Sequence, residues 1–132
     1  VRTAIKHLDP GRVTMLTEMS GGNPKKITGK MVSEAVEAGD TYAAWVMEET
    51  ATWLGIGIAS LINALNPEVV VLGGGMIAAG EKLFDPVRKV VKDQAFEVPA
   101  TRAQVIPAQL GNDAGVIGAA GCALDRVRGV QE

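Results

Sequence analysis

The sequence predicts an α/β fold that is rich in helices and has a small, incomplete sheet. An apolar, β-branched run at residues 69–72 is too short for a helix, and it predicts a strand buried on both faces of a parallel sheet. The run ends in Gly73, Gly74 and Gly75, at the edge where α/β sheets usually bind ligands. Helical patterns surround this strand and one further strand, and two strands are too few for a sheet that stands alone.

The first third of the chain contains two predicted helices separated by irregular sequence. Residues 1–7 have a helical pattern, and the turn residues at 9–11 end it. Residues 12–26 are less regular and include a polar, glycine-containing loop. Thr28 is the predicted N-cap of the next helix, which ends at Gly39 because that position requires a left-handed backbone.

A long helix is predicted over residues 41–65, with Asp40 as its N-cap. Its apolar stripe has a 3.6-residue period, so we expect Trp53 in the core. The stripe consists of Val46, Thr50, Trp53, Leu54, Gly57, Ile58, Leu61 and Leu65. Gly55 and Gly57 lie mid-helix, where glycine costs about 1 kcal/mol relative to alanine, and this predicts close packing against another element.

The second half of the chain alternates helices and strands. Residues 77–84 predict a short helix, and Pro86 predicts the first turn of another helix over residues 85–95. A second strand is predicted at residues 103–108, and its proline favours a sheet edge or a bulge. The last helix is predicted over residues 113–126.

The composition argues against several classes of function. The net charge is −2 and the basic residues are scattered, which is unlike the basic patch of a nucleic-acid-binding domain. No apolar segment is long enough to cross a membrane. Cys122 is the one cysteine, so the chain has neither an internal disulfide nor a zinc cluster, and a reducing, cytoplasmic compartment is expected. We expect Cys122 to be buried in a helix.

The three glycines after the first strand have three possible interpretations. Gly73, Gly75 and Ala78 match the loose dinucleotide-binding pattern, but no acidic residue ends the next strand to bind a ribose. A tight turn without any ligand is the second interpretation. The third, which we favour, is contact between bare backbone N–H groups and a nucleoside or phosphate, because glycine has no Cβ in the way. Met76 follows directly and is a candidate wall of an adenine pocket.

Other polar residues have simpler interpretations than catalysis. Asp113 is a candidate helix N-cap, and His7 lies at a helix end where a cation is favourable. We expect a solvated surface at Lys25, Lys26 and Lys30. The alternative is that these lysines help to bind the negatively charged nucleotide. We therefore assign no catalytic residue and no metal ligand to this chain.

Four segments together resemble the ROK family (repressors, open reading frames and sugar kinases). Residues 66–75 are similar to the family's adenosine-binding turn, and residues 39–40, 43–44 and 53–59 are similar to its long central helix. Residues 84–87 resemble the segment after the glycines, and residues 110–120 resemble the C-terminal signature. The resemblance covers about residues 28–124 and is closest to the family's bacterial ATP-dependent glucokinases.

This resemblance implies part of an actin-like, ribonuclease-H-like ATPase lobe. Residues 1–132 would be the C-terminal portion of the C-terminal lobe, with the N-terminal lobe absent. It implies ATP-dependent phosphorylation of a hexose, with glucose as the first candidate, and ATP and Mg²⁺ as cofactors of the intact enzyme. Gly73, Gly74, Gly75 and Met76 would lie on the adenosine side of the cleft. The family's phosphate loop, catalytic Asp, sugar-binding residues and zinc motif have no counterpart in this sequence, so any zinc would lie outside the chain and the chain should be inactive alone.

The same family includes sugar-responsive transcription repressors, which leaves a second hypothesis open. This chain would then be an effector-binding and dimerisation lobe, and nucleic acid would be a partner only in that case. The three glycines favour the kinase, because a repressor has no need to hold ATP. Family members are often dimers or tetramers, so we expect a homodimer, and Trp45 is a candidate contact because aromatic anchors are enriched at interfaces.

Overall fold

The structure is a computed structural model that describes residues 2–8 and 11–129. In chain order, its helices and strands are α1 (Arg2–Lys6), α2 (Met15–Met19), α3 (Gly29–Glu37), α4 (Thr41–Leu65), β1 (Val69–Leu72), α5 (Glu81–Gln94), α6 (Glu97–Arg102), β2 (Gln104–Pro107) and α7 (Ala114–Arg128). Three short 3-10 helices span Pro24–Lys26, Gly75–Ala79 and Gly111–Asp113. The predicted helix-rich α/β class with a small sheet is confirmed.

The two strands form a parallel pair, as predicted. Val69 is opposite Gln104 in the register, and Leu72 is opposite Pro107. The expectation that β1 is buried on both faces is wrong for this chain, because Val71 is 58% exposed. Helices cover only the face that carries Val70 and Leu72, and both of these side chains pack against the core.

The core lies mainly between α4 and α5, and α3 also packs against α4. Its largest fully buried side chains are Phe84, Leu16, Ile62, Leu83, Val46 and Val87. These side chains come from α2, α4 and α5, so the helices supply most of the core and the sheet contributes little.

Polar side chains fix the helix starts in the first third of the chain. The Thr28 and Asp40 N-caps are confirmed, and Gly39 has the positive φ of 86° that was expected after α3. Helix α2 was not predicted, although Thr14 and Thr17 form a reciprocal capping box at its start. Of the predicted features near the beginning, Val1, Asp9 and Pro10 lie outside the described residues.

Helix α4 has the predicted bounds, but the predicted position of Trp53 is wrong. Trp53 is 67% exposed, whereas Ala51, Ile58 and Ile62 are buried. The second half of this helix has no charged residue and is apolar on most of its surface, so its period does not show which face is covered. The close packing expected of a mid-helix glycine is present at Gly55 and absent at Gly57.

The region after β1 differs from the prediction of two successive helices. A 3-10 helix precedes α5, which runs unbroken through Pro86 rather than beginning near it. Leu83, Phe84 and Val87 are all buried on either side of the proline, so packing maintains the helix despite the missing N–H donor. Helix α6 was not predicted; it has only six residues, and its proline lies in the first turn, where proline is tolerated.

The predicted last strand and last helix are both present, as β2 and α7. Asp113 occupies the N-cap position of α7, but its side chain makes no capping hydrogen bond. The expected burial of Cys122 is wrong, because this side chain is exposed. Helix α7 buries none of its residues within the described part of the chain, so its small-residue face is uncovered there.

Candidate functional site

The carboxyl ends of the two parallel strands lead into turns that contact each other. β1 continues into the glycine turn (residues 73–75) and the 3-10 helix Gly75–Ala79, and β2 leads to the 3-10 helix Gly111–Asp113. These two 3-10 helices are in contact. The N–H of Ala108 donates to the carbonyl of Leu72 at 2.8 Å, which extends the strand pairing to the foot of the turn. The glycine turn thus lies at the sheet edge where α/β proteins bind ligands.

One of the three glycines is required by its backbone conformation. Gly74 has φ 95° and ψ 175°, a region that is essentially restricted to glycine. Its carbonyl accepts a hydrogen bond from the N–H of Ile77 at 3.2 Å, which begins the following 3-10 helix. Gly74 therefore makes the sharp change of direction between strand and helix.

Neither of the other two glycines is required by conformation or by space. Gly73 and Gly75 do not have positive φ. A Cβ on Gly73 would make an ordinary 3.8 Å contact with the Cβ of Ala108, and a Cβ on Gly75 would meet nothing within 4 Å. All three glycines are exposed, so their bare backbone borders open space that is free for a ligand.

Met76 stands between the glycine turn and the start of α3. Its side chain is half-buried and packs against the core. A Cβ on Gly29, the first residue of α3, would lie 3.8 Å from the Cγ of Met76. Met76 is thus held beside the turn by packing, and a methionine thioether is a side chain that makes favourable contacts with aromatic rings.

The contacts that hold the glycine turn in place could be predicted only in part from the sequence. The 3-10 helix Gly75–Ala79 contacts both α3 and α5, and Gly80, the N-cap residue of α5, has φ 57° and ψ −141°. A glycine directly before an amphipathic segment is the sequence signal that could have located the unusual backbone conformation of Gly80. The approach of Ala108 to Gly73 had no local signal, because it depends on the pairing of strands that are distant in the sequence.

The other candidate residues do not join the glycine turn in a catalytic cluster. The ring of His7 packs edge-on against Trp45, with the ring centroids 5.4 Å apart. Lys25, Lys26 and Lys30 are exposed, and Lys30 pairs with Glu34 at 3.5 Å. Within residues 2–8 and 11–129, no group of three or more His, Cys, Asp or Glu side chains could hold a metal ion.

None of the described helices is both long enough and apolar enough to cross a bilayer.

Comparisons with known proteins agree on one family. A family model described as the ROK family matches residues 13–126. A glucokinase of Halalkalibacterium halodurans is 45% identical over 92 residues, which cover 70% of this chain and 28% of the relative. A xylose repressor of Caldicellulosiruptor bescii is 28% identical over 100 residues, which cover 76% of this chain and 25% of the relative.

A solved structure shows the same fold. The crystal structure of a ROK family glucokinase from Streptomyces griseus, in complex with glucose and AMPPNP, aligns with a TM-score of 0.73 at 37% identity. The alignment covers 82% of this chain and 35% of that structure, so the chain spans about a third of the length of such relatives. The predicted actin-like ATPase fold is therefore confirmed, and the chain belongs to the ROK family.

Proposed function

We propose that this chain is the adenosine-binding part of a longer ATP-dependent hexose kinase, with glucose as the first candidate substrate. The observation that carries the proposal is the bare, exposed backbone at Gly73 and Gly75, where the fold itself does not require glycine. A backbone without Cβ atoms lets a nucleoside approach its N–H groups closely. The proposal is supported by the relative that was crystallised with glucose and AMPPNP.

Each site residue has a role in this proposal. Gly74 shapes the turn, Gly73 and Gly75 leave room for the adenosine, and Met76 forms one wall of the adenine pocket. ATP, when bound, supplies the γ-phosphoryl group, and Mg²⁺ neutralises the charge of the phosphates. The proposal assigns the general base and the ligands of Mg²⁺ to other parts of the longer protein, and the described residues contain no cluster of three or more His, Cys, Asp or Glu side chains that could hold a metal ion. The chain alone should not phosphorylate sugars.

The second candidate is a sugar-responsive repressor, and the observation that favours it is the relationship to the xylose repressor. In that case the glycine turn would be structural only. We prefer the kinase, because a purely structural turn requires glycine at Gly74 and not at Gly73 or Gly75.

We also propose a cytoplasmic homodimer in which Trp45 contributes to the contact. Trp45 is 37% exposed, and its ring stacks on Tyr42 with the centroids 5.7 Å apart. Stacking on a buried neighbour holds the indole in one orientation, and rigid aromatic side chains are typical anchors of interfaces.

The test is ADP release by the longer protein that contains this chain, with Mg-ATP and a panel of hexoses, glucose first. ADP release that depends on the sugar would support the kinase and identify its substrate. Binding of a sugar without turnover would contradict the kinase and favour the repressor. The 132-residue chain, measured in parallel, should bind nucleotide weakly and release no ADP.

A further inference from the structure

A second concave surface lies away from the glycine turn. It is a groove of about 730 Å³ between the last part of α5, helix α6 and strand β2. Its apolar floor consists of Val91, Ala95, Ala100, Ala103, Val105 and Ile106. Its polar lining includes Arg88, Lys92 and Glu97. The volume and the mostly apolar floor are typical of small-molecule sites, which hold about 300–1,000 Å³.

Another β-strand is a poor occupant for this groove. The Nε of Arg88 donates to the carbonyl of Val105 at 3.1 Å, so the side chain covers an acceptor on the outer edge of β2. Pro107 has no N–H to donate to a further strand. Charged side chains and prolines of this kind block strand addition at sheet edges. β2 therefore has the properties of an outermost strand, so we do not expect a further β-strand to fill the groove beside it.

The charged side chains that line the groove differ in whether they already form an ion pair. The guanidinium of Arg88 is already held by Glu81 and Asp85. Lys92 and Glu97 make no ion pair with any residue of the described part of the chain. The groove thus presents one uncompensated ammonium and one uncompensated carboxylate beside an apolar floor.

We propose that this groove binds a zwitterion with an apolar side chain, namely an apolar α-amino acid. The Lys92 ammonium pairs with the ligand's carboxylate, and the Glu97 carboxylate pairs with its ammonium. The apolar side chain lies on the floor between α5 and β2, where its burial supplies most of the binding free energy. A simple organic anion would be repelled by Glu97, and a simple cation by Lys92, so the charge pattern selects a ligand that carries both.

The experiment uses the ¹⁵N-labelled longer protein that contains this chain and follows its amide chemical shifts by NMR during titration. The three probes are L-phenylalanine, its carboxamide, which lacks the carboxylate, and its N-acetyl derivative, which lacks the ammonium. We expect L-phenylalanine to shift the amides of residues 100–106 selectively. We expect each altered probe to bind about threefold more weakly, which is the size of effect that an exposed ion pair produces.

Two variants, each lacking one charge of the groove, test which charge discriminates against which probe. Lys92→Met should remove the preference for L-phenylalanine over the carboxamide, and Glu97→Gln should remove the preference over the N-acetyl derivative. Lys89→Met changes an exposed lysine of α5 that does not line the groove, and it should leave both preferences intact. A dispersed spectrum of each variant shows that it is folded. The proposal is overturned if residues 100–106 do not shift, if the three probes bind equally, or if Lys89→Met and Lys92→Met have the same effect.

Discussion

Gly55 of α4 lies so close to Val90 of α5 that a Cβ on Gly55 would be only 2.7 Å from the Cβ of Val90. The same Cβ would be 3.1 Å from the backbone carbonyl of Val87. Backbone cannot move aside as a side-chain tip can, so the glycine sets how closely the two longest helices of the core approach. Close helix packing thus offsets the conformational cost of a glycine in the middle of α4.

Replacing Gly55 with alanine should destabilise the chain by about 1–3 kcal/mol, the usual cost of overpacking a core. The added methyl group must push α5 away from α4. The measurement is the free energy of unfolding from urea denaturation. Gly57→Ala is the matched control, because Gly57 lies in the same helix and has nothing within 4 Å of its Cβ position. The control should stabilise by about 0.5–1 kcal/mol through helix propensity, and an equal effect of both variants would contradict the packing argument.

The Asp40 carboxylate joins the starts of two helices. One oxygen accepts from the N–H of Ala43 at 2.8 Å, and the other accepts from the N–H of Met15 at 2.7 Å. Asp40→Ala should cost about 2 kcal/mol in unfolding free energy, because it removes a helix cap and a bond between distant segments. Thr28→Ala removes only a local cap and should cost about 1 kcal/mol. If Asp40→Ala costs no more than Thr28→Ala, the bond to Met15 contributes nothing.

Local sequence predicted those features of the fold that depend on neighbouring residues. The caps at Thr28 and Asp40, the left-handed Gly39 and the bounds of α4 all follow from side chains and backbone within a few positions. The parallel pairing of the strands was also predicted, because apolar runs separated by helices favour parallel sheets.

Features that depend on tertiary packing between distant elements were predicted less well. The exposure of Trp53 and Cys122 contradicts the prediction, since an apolar helix does not show which of its sides has a neighbour. Pro86 was placed at a helix start because the tertiary contacts that hold α5 together around it have no local signal. At the candidate site, the sequence located the glycines but did not distinguish Gly74, which the backbone requires, from Gly73 and Gly75.

That difference among the glycines predicts unequal effects on stability. Gly74→Ala should destabilise by about 1–3 kcal/mol, because φ 95° with ψ 175° is strained for any residue with a Cβ. Gly75→Ala should change the stability by less than about 0.5 kcal/mol, as expected for an exposed position without special geometry. Urea denaturation of both variants measures the difference. Equal destabilisation would show that Gly75 also has a conformational role.

The proposed function predicts that Gly75, which contributes little to stability, is important for binding ATP. In the longer protein, Gly75→Val should raise the KM for ATP about tenfold or more, since a branched side chain fills the open space beside the turn. The KM for the hexose should change little, because the proposal assigns the sugar-binding residues to other parts of that protein. Gly57→Val is the control, since it places the same side chain on an exposed glycine of α4, outside the glycine turn. An unchanged KM for ATP in Gly75→Val, with hexose-dependent ADP release intact, would remove the glycine turn from the nucleotide site while leaving the kinase assignment in place.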